Sequence, residues 1–300
     1  MQLSAIVGSG NVGANTAFFI AEQGSADVLL FDIKDGLAVG KSLDMMETAP
    51  IRDYRTRLKG VGALDDLAKA KVIVIAAGRV REPGQRRADL RAANQALVRE
   101  LAQQLKVIAP QAIYIIATEP VDAMTDEFAR SAGLGRGQVM GLGGFLDATR
   151  FRYAIARDLG LSVESVTATV IGRHSGDMMG LPAYCSVSGV PLTQLMTEER
   201  IEELMDEVRS AGDTIIDLAQ RSSAYYGPSA AAAELVDAIC RDLKRIVSVS
   251  IPLAGEYGLK EGAASLPVVV GAGGVERVLL PRLNEIQCQC LVAPGSEVSP

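Results

Sequence analysis

Ala5-Ile6-Val7-Gly8-Ser9-Gly10-Asn11-Val12-Gly13 is the stretch that decides the fold. The apolar run 3–7 reads as a strand, and residues 11–22 carry a helical pattern. Between them the glycines follow the spacing GxGxxG. Such glycines allow a tight turn and let the backbone approach a pyrophosphate, and the helix that follows offers free N–H groups and a positive dipole end. Gly8, Ser9, Gly10, Asn11, Val12 and Gly13 are therefore candidate cofactor residues. Asp32 closes the next apolar run about 20 residues past the last glycine. A carboxylate there accepts hydrogen bonds from both ribose hydroxyls and repels a 2′-phosphate. The expected cofactor is NAD rather than NADP.

The first half of the chain keeps the same rhythm. Residues 28–32, 72–76, 113–118 and 139–142 read as further strands, and 36–48, 87–108 and 121–130 as helices. Short apolar strands alternating with helices predict an α/β fold, an N-terminal Rossmann doubly wound parallel sheet. The second half changes style. Helices are expected over 145–159, 197–221 and 229–244. Strands are expected over 163–171, 183–187, 247–252 and 266–279, the last broken by a hairpin at Gly271-Ala272-Gly273-Gly274. The expected division is a nucleotide-binding domain over 1–142 and a mixed α+β substrate and catalytic domain over 143–300.

Composition narrows the function classes. The chain has 300 residues, 48% of them hydrophobic, and a formal net charge of −6. An acidic balance argues against nucleic acid and anionic membrane surfaces as partners. No apolar run is long enough to span a bilayer, and the N-terminus has no leader pattern. The four cysteines, Cys185, Cys240, Cys288 and Cys290, have neither redox nor zinc spacing, and there is one histidine. No metal site is expected, and a reduced cytoplasmic protein is the default.

Candidate chemistry lies in two places. After the run 72–76 comes Ala77-Gly78-Arg79-Val80-Arg81-Glu82-Pro83-Gly84-Gln85-Arg86-Arg87. A loop rich in arginine at the C-terminal end of a strand suits bidentate carboxylate recognition, although such a loop is more often simply solvated. The second place is His174, with Asp147 and Arg150 upstream on one helical face. A lone histidine is more often structural than catalytic, and an Asp–Arg pair at that spacing is usually local.

The whole set in one order resembles the lactate/malate dehydrogenase family, and within it the malate dehydrogenases of lactate-dehydrogenase-like type. The likeness runs from about residue 3 to about residue 280. It rests on GSGNVG, Gly40-Lys41-Ser42-Leu43-Asp44, Asp147-Ala148-Thr149-Arg150-Phe151-Arg152, Gly189-Val190-Pro191-Leu192, Ser223-Ala224-Tyr225-Tyr226 and Gly255-Glu256-Tyr257-Gly258, and on the interval from Asp147 to His174. The resemblance implies reversible NAD-dependent hydride transfer between malate and oxaloacetate, as in the tricarboxylic acid cycle. His174 would be the proton donor and acceptor, with Asp147 holding its other nitrogen. Arg150 would grip the carboxylate beside the reacting carbon, Arg87 would polarise the carbonyl, and Arg81 would match a second carboxylate. Asn94, Ala117 and Thr118 fall at cofactor-contacting positions, and Glu119 at a substrate-contacting one. A homodimer or homotetramer is implied. The alternatives are a lactate or other 2-hydroxyacid dehydrogenase, a catalytically weakened NAD-binding relative, or a hydrolase like the NAD-using glycosidases.

Three departures from the family pattern carry expectations of their own. Glu119 stands where the family has asparagine. If ionised, it cancels the net positive charge of the site, so weakened substrate binding or a protonated Glu119 is expected. Ser175 replaces a glycine after His174 and is strained if that position has positive φ. In that same His174 loop, Arg173 either depresses the imidazolium pKa or pairs with Glu119. Finally, Ile286-Gln287-Cys288-Gln289-Cys290 and Pro294-Gly295 break the family's long terminal helix, predicting a shortened end frayed after about Ala293.

Overall fold

A computed structural model describes residues 1–79, 87–220 and 224–292. Six parallel strands come from the first half: β1 (Leu3–Val7), β2 (Asp27–Phe31), β3 (Leu58–Val61), β4 (Val72–Ile75), β5 (Ile113–Ile116) and β6 (Val139–Gly141). Three antiparallel strands follow from the second half: β7 (Arg245–Pro252), β8 (Ala263–Gly271) and β9 (Gly274–Val278). All belong to one sheet in the order β9-β8-β7-β6-β5-β4-β1-β2-β3. Ser250 of β7 pairs with Gly141 of β6. Residue 142 is thus where the sheet changes direction, and the sheet itself continues past it.

Helices cover both faces. α1 (Asn11–Gln23), α2 (Leu37–Glu47), α3 (Arg87–Ile108) and α4 (Val121–Ala132) belong to the first half. α5 (Gly143–Leu159), α6 (Glu198–Ala219), α7 (Tyr226–Cys240) and α8 (Glu285–Val292) follow. β4 and β5 are buried at every position, the mark of central strands covered on two sides. One core layer holds Ile6, Val74 and Ile115 against α1 and the alanine-rich α7, whose Ala232 and Ala233 allow close packing. The other holds Ile73, Ile75 and Ile116 against Val98, Leu105 and Phe128 of α3 and α4. A third cluster packs Phe151 of α5 against Leu204 and Met205 of α6.

Several expectations are corrected by pairing. The run 163–171 is not one strand. A 3-10 turn, Val163–Ser165, leads into Val166–Thr167, which pairs with Ser186–Val187, whereas Val170–Ile171 pairs with Met179–Gly180. The two segments belong to different sheets, and Ala168 and Thr169 between them lie in neither strand. β3 has no counterpart among the expected strands, because Leu-Lys-Gly-Val is short and weakly apolar and gains its order as the edge partner of β2. The chain end forms the eight-residue α8, with Leu291 buried, and the tail expected to fray lies outside the described residues.

β1 has β4 on one side and β2 on the other, so the strand order reverses there. Val7 aligns with Phe31 and with Ile75, which brings three strand ends level. Open α/β sheets bind ligands in the crevice outside such an edge.

Candidate active site

The glycine loop sits at this switch point. Gly8 has φ +103°, and a Cβ on it would lie 2.5 Å from the Ala77 nitrogen. A Cβ on Gly13 would lie 1.9 Å from the Gly8 carbonyl oxygen, so helix and turn meet only because that position is bare. Gly10 and Asn11 face outward, and no side chain caps α1. The first N–H groups of α1 are therefore offered to a ligand. The Ser9 amide donates to Asp32 Oδ2 at 2.6 Å and the Lys34 amide donates to Oδ1 at 3.0 Å, which orients the carboxylate at the end of β2. An open loop, an uncapped helix and an ordered acid fit an adenine dinucleotide, with Asp32 for the ribose.

His174 follows Val170–Ile171 in a loop stapled to β8 by the reciprocal Gly172–Ser265 pairing. Its Nδ1 lies 2.9 Å from both oxygens of Asp147, and Oδ2 has the hydrogen-bonding geometry. Asp147 is 1% exposed on α5, and its Oδ1 is a buried atom with no hydrogen-bond partner among the described residues. Arg150 Nη1, one turn on, is 3.8 Å from that oxygen, a charge contact without a hydrogen bond. Two carboxylates flank the imidazole elsewhere. Glu119 Oε1 is 3.6 Å from Nε2, and Asp122 Oδ2 accepts the His174 main-chain N–H at 2.7 Å.

Burial works against a charged imidazole, but the charge of Asp147, then that of Glu119, and the Asp147 hydrogen bond outweigh it. His174 is raised to about 9 and is an imidazolium at neutral pH. The net shift of the ring is upward whichever role Arg173 takes. The strain expected at Ser175 for a positive φ does not arise, since Ser175 is not among the described non-glycine residues with positive φ. Its hydroxyl instead accepts from the Asp177 amide at 3.3 Å.

One cleft joins the loop to the histidine. It is lined by Val12, Ala117, Glu119, Leu146, Arg150 and His174, with α6 and α7 as its outer wall. Ser229 of α7 donates to the Val12 carbonyl at 2.8 Å, fastening that wall to the nucleotide loop. Ala117 faces the cleft, whereas Thr118 turns away and donates to the Ala77 carbonyl at 2.7 Å. Asn94 is 1% exposed. It accepts from the Arg79 amide and donates to the Glu119 carbonyl, each at 2.8 Å. It thus ties the ends of β4 and β5 together beneath the cleft. Arg81 lies outside the described residues, as does the side chain of Arg87.

Asp122 is the site residue that sequence reasoning missed. Its Oδ1 accepts from the Ser250 hydroxyl at 2.6 Å, so one carboxylate links α4, β7 and the His174 loop. Burial pushes it up to about 6 against the pull of these hydrogen bonds. Its only signal in the sequence was its place in Thr118-Glu119-Pro120-Val121-Asp122.

A doubly wound sheet with a dinucleotide loop, joined by a cleft to a carboxylate-held histidine and an arginine, defines an NAD-binding oxidoreductase of the hydroxyacid class. Residues 4–141 match the lactate/malate dehydrogenase NAD binding domain, and residues 145–294 match the alpha/beta C-terminal domain of the same proteins. The chain belongs to the lactate/malate dehydrogenase family. It is 40% identical to a malate dehydrogenase of Heliobacterium modesticaldum over 91% of this chain and 88% of the relative. The solved malate dehydrogenase of Salinibacter ruber superposes with a TM-score of 0.91 at 38% identity, covering 97% of this chain and 93% of that one. The lactate dehydrogenase of Cryptosporidium parvum, complexed with lactic acid and NAD, gives 0.91 at 32% identity, covering 97% and 93%. Among the described residues, no cluster of three or more potential ligands could hold a metal, and no helix is long and apolar enough to cross a membrane.

Proposed function

We propose that this protein interconverts malate and oxaloacetate with NAD. The observation that carries the reading is the His174–Asp147 pair opening onto a cleft that reaches the nucleotide loop and contains Arg150. NAD, when bound, supplies or accepts the hydride. Gly8, Ser9, Gly10, Asn11, Val12 and Gly13 hold its pyrophosphate region, Asp32 its ribose, and Ala117 the cleft side. Thr118 and Asn94 serve it indirectly, by fixing the strand ends beneath.

The protein's own part is placement and charge. Arg150 binds the carboxylate next to the reacting carbon through its guanidinium fork. Asp147 keeps the proton of Nδ1 pointing inward, so Nε2 faces the cleft. In reduction the imidazolium gives its Nε2 proton to the substrate oxygen, and in oxidation the neutral ring takes it back. Arg87 polarises the carbonyl and Arg81 receives the second carboxylate in this reading. The close homology to malate dehydrogenases supports it.

Assembly into a homodimer or homotetramer belongs to the same reading, and the exposed Val39 and Leu43 on α2 support it. A cytoplasmic location fits the free cysteines Cys185, Cys240, Cys288 and Cys290. The test is NADH oxidation followed by absorbance with oxaloacetate and pyruvate in parallel. Faster turnover of pyruvate would overturn the substrate assignment.

A further inference from the structure

Nε2 of His174 has a carboxylate in front of it. Nδ1 is committed to Asp147 at 2.9 Å, so Nε2 is the nitrogen that meets a substrate oxygen. Glu119 Oε1 stands 3.6 Å from it. Glu119 Oε2 accepts the Val121 amide at 3.1 Å, which holds the carboxylate in that orientation. The side chain is 59% exposed and lines the same cleft as Arg150. Below, the Glu119 carbonyl is pinned by Asn94. The carboxylate thus sits on the floor where a reacting C–O group must lie.

We infer that Glu119 is the resting partner of His174 Nε2 and acts as a specificity residue, favouring the 2-hydroxy acid over the 2-oxo acid of the same charge. This rests on the hydride-transfer reading above. A carbonyl oxygen only accepts hydrogen bonds. It can take the Nε2 proton, but it then meets the Glu119 carboxylate with lone pairs facing lone pairs. An alcohol both donates and accepts. Its oxygen can take the Nε2–H while its own hydrogen is donated to Glu119. The overall charges of the two acids are equal, so Arg150 and the other charged groups around the ring, Asp147 and Asp122, do not tell them apart. The difference arises at the one atom that gains or loses a hydrogen.

Glu119→Gln tests this, because the amide keeps an acceptor for the Val121 N–H, removes the charge and adds a donor. Two readouts are needed. The first uses the free protein: the chain has one histidine, so 13C-labelled histidine gives a single imidazole titration without assignment. The midpoint is expected to fall by about one pH unit, the low end of what an adjacent opposite charge does. The second compares dead-end complexes, oxaloacetate with the NAD-loaded protein and malate with the NADH-loaded protein. The variant is expected to bind oxaloacetate roughly three- to tenfold more tightly, with malate within about twofold, the scale of a single added hydrogen bond. An unmoved midpoint would overturn the pairing. Equal tightening of both acids would show that Glu119 merely repels anions, and would overturn the discrimination. The titration needs no substrate, so it decides the pairing separately from any failure of the wild type to reduce oxaloacetate, which would sink the preceding reading instead.

Discussion

Replacing Asp147 by asparagine tests the heart of the site, because shape is kept and one buried charge is removed. The folded imidazole is raised from 6.5 to about 9. At about 1.4 kcal/mol per pH unit, that is on the order of 3 kcal/mol in favour of the imidazolium, already net of burial. Asp147 is the largest contributor on the raising side. Burial, the largest single influence on the ring, persists in the variant and exceeds the remaining pull of Glu119, so His174 is expected to titrate at or below its ordinary value. At pH 7.5 the protonated fraction would drop from nearly all to roughly a tenth or less. Asparagine can also present its N–H₂ to Nδ1 and hold the wrong tautomer. Oxaloacetate reduction is therefore expected to slow by roughly 10²–10⁴ at pH 7.5. The assay is steady-state NADH oxidation from pH 5 to 10, with the imidazole titration alongside. In the wild type the alkaline limb should lie near 9, and in Asp147→Asn it should move below about 6.5. A variant within tenfold of wild type at pH 7.5, or a limb that stays near 9, would refute the reasoning. Stability carries the same signature. A base raised in the fold stabilises it fully below its unfolded value of 6.5, and that increment is lost as pH rises through 9. The gap in Tm between wild type and Asp147→Asn should be widest in acid and shrink above pH 9.

Gly13→Ala should disrupt the loop, since the new methyl would fall 1.9 Å from the Gly8 carbonyl oxygen. A loss of about 2–3 kcal/mol and weakened NADH binding by fluorescence titration are expected. Asn94→Ala leaves the Arg79 amide and the Glu119 carbonyl without their partner. It should cost about 2 kcal/mol, seen as a lower urea midpoint at unchanged slope, and raise KM for oxaloacetate more than it lowers kcat. Asp32→Ser removes the charge that would repel a 2′-phosphate. The NADPH to NADH ratio of kcat/KM should rise by roughly tenfold or more, and a ratio that does not move would count against Asp32 as the selector.

Much of the fold was legible because its signals are local. A strand–turn–helix with bare glycines at 8 and 13 can be read from adjacent residues, and the terminal acid Asp32 needs only a count along the chain. Apolar runs with helices between them imply a sheet covered on both faces, as β4 and β5 are. Where a run was divided between two sheets, as over 163–171, local pattern could not reveal the break, because which strand pairs with which is a tertiary matter. The strain expected at Ser175 failed for a related reason: a glycine in relatives does not fix the backbone conformation here.

The sequence by itself determined a nucleotide-binding α/β chain with a cofactor loop and a short set of polar residues fit for acid–base work. Only the tertiary structure decided which of them touch. Asp122 reaches His174 and Ser250 from 52 and 128 positions away. Glu119 comes to face Nε2 because β5 and the His174 loop end over the same cleft. Periodicity and turn chemistry are properties of neighbouring residues, whereas the charge that an imidazole feels is set by whatever the sheet order carries to within a few ångströms of it.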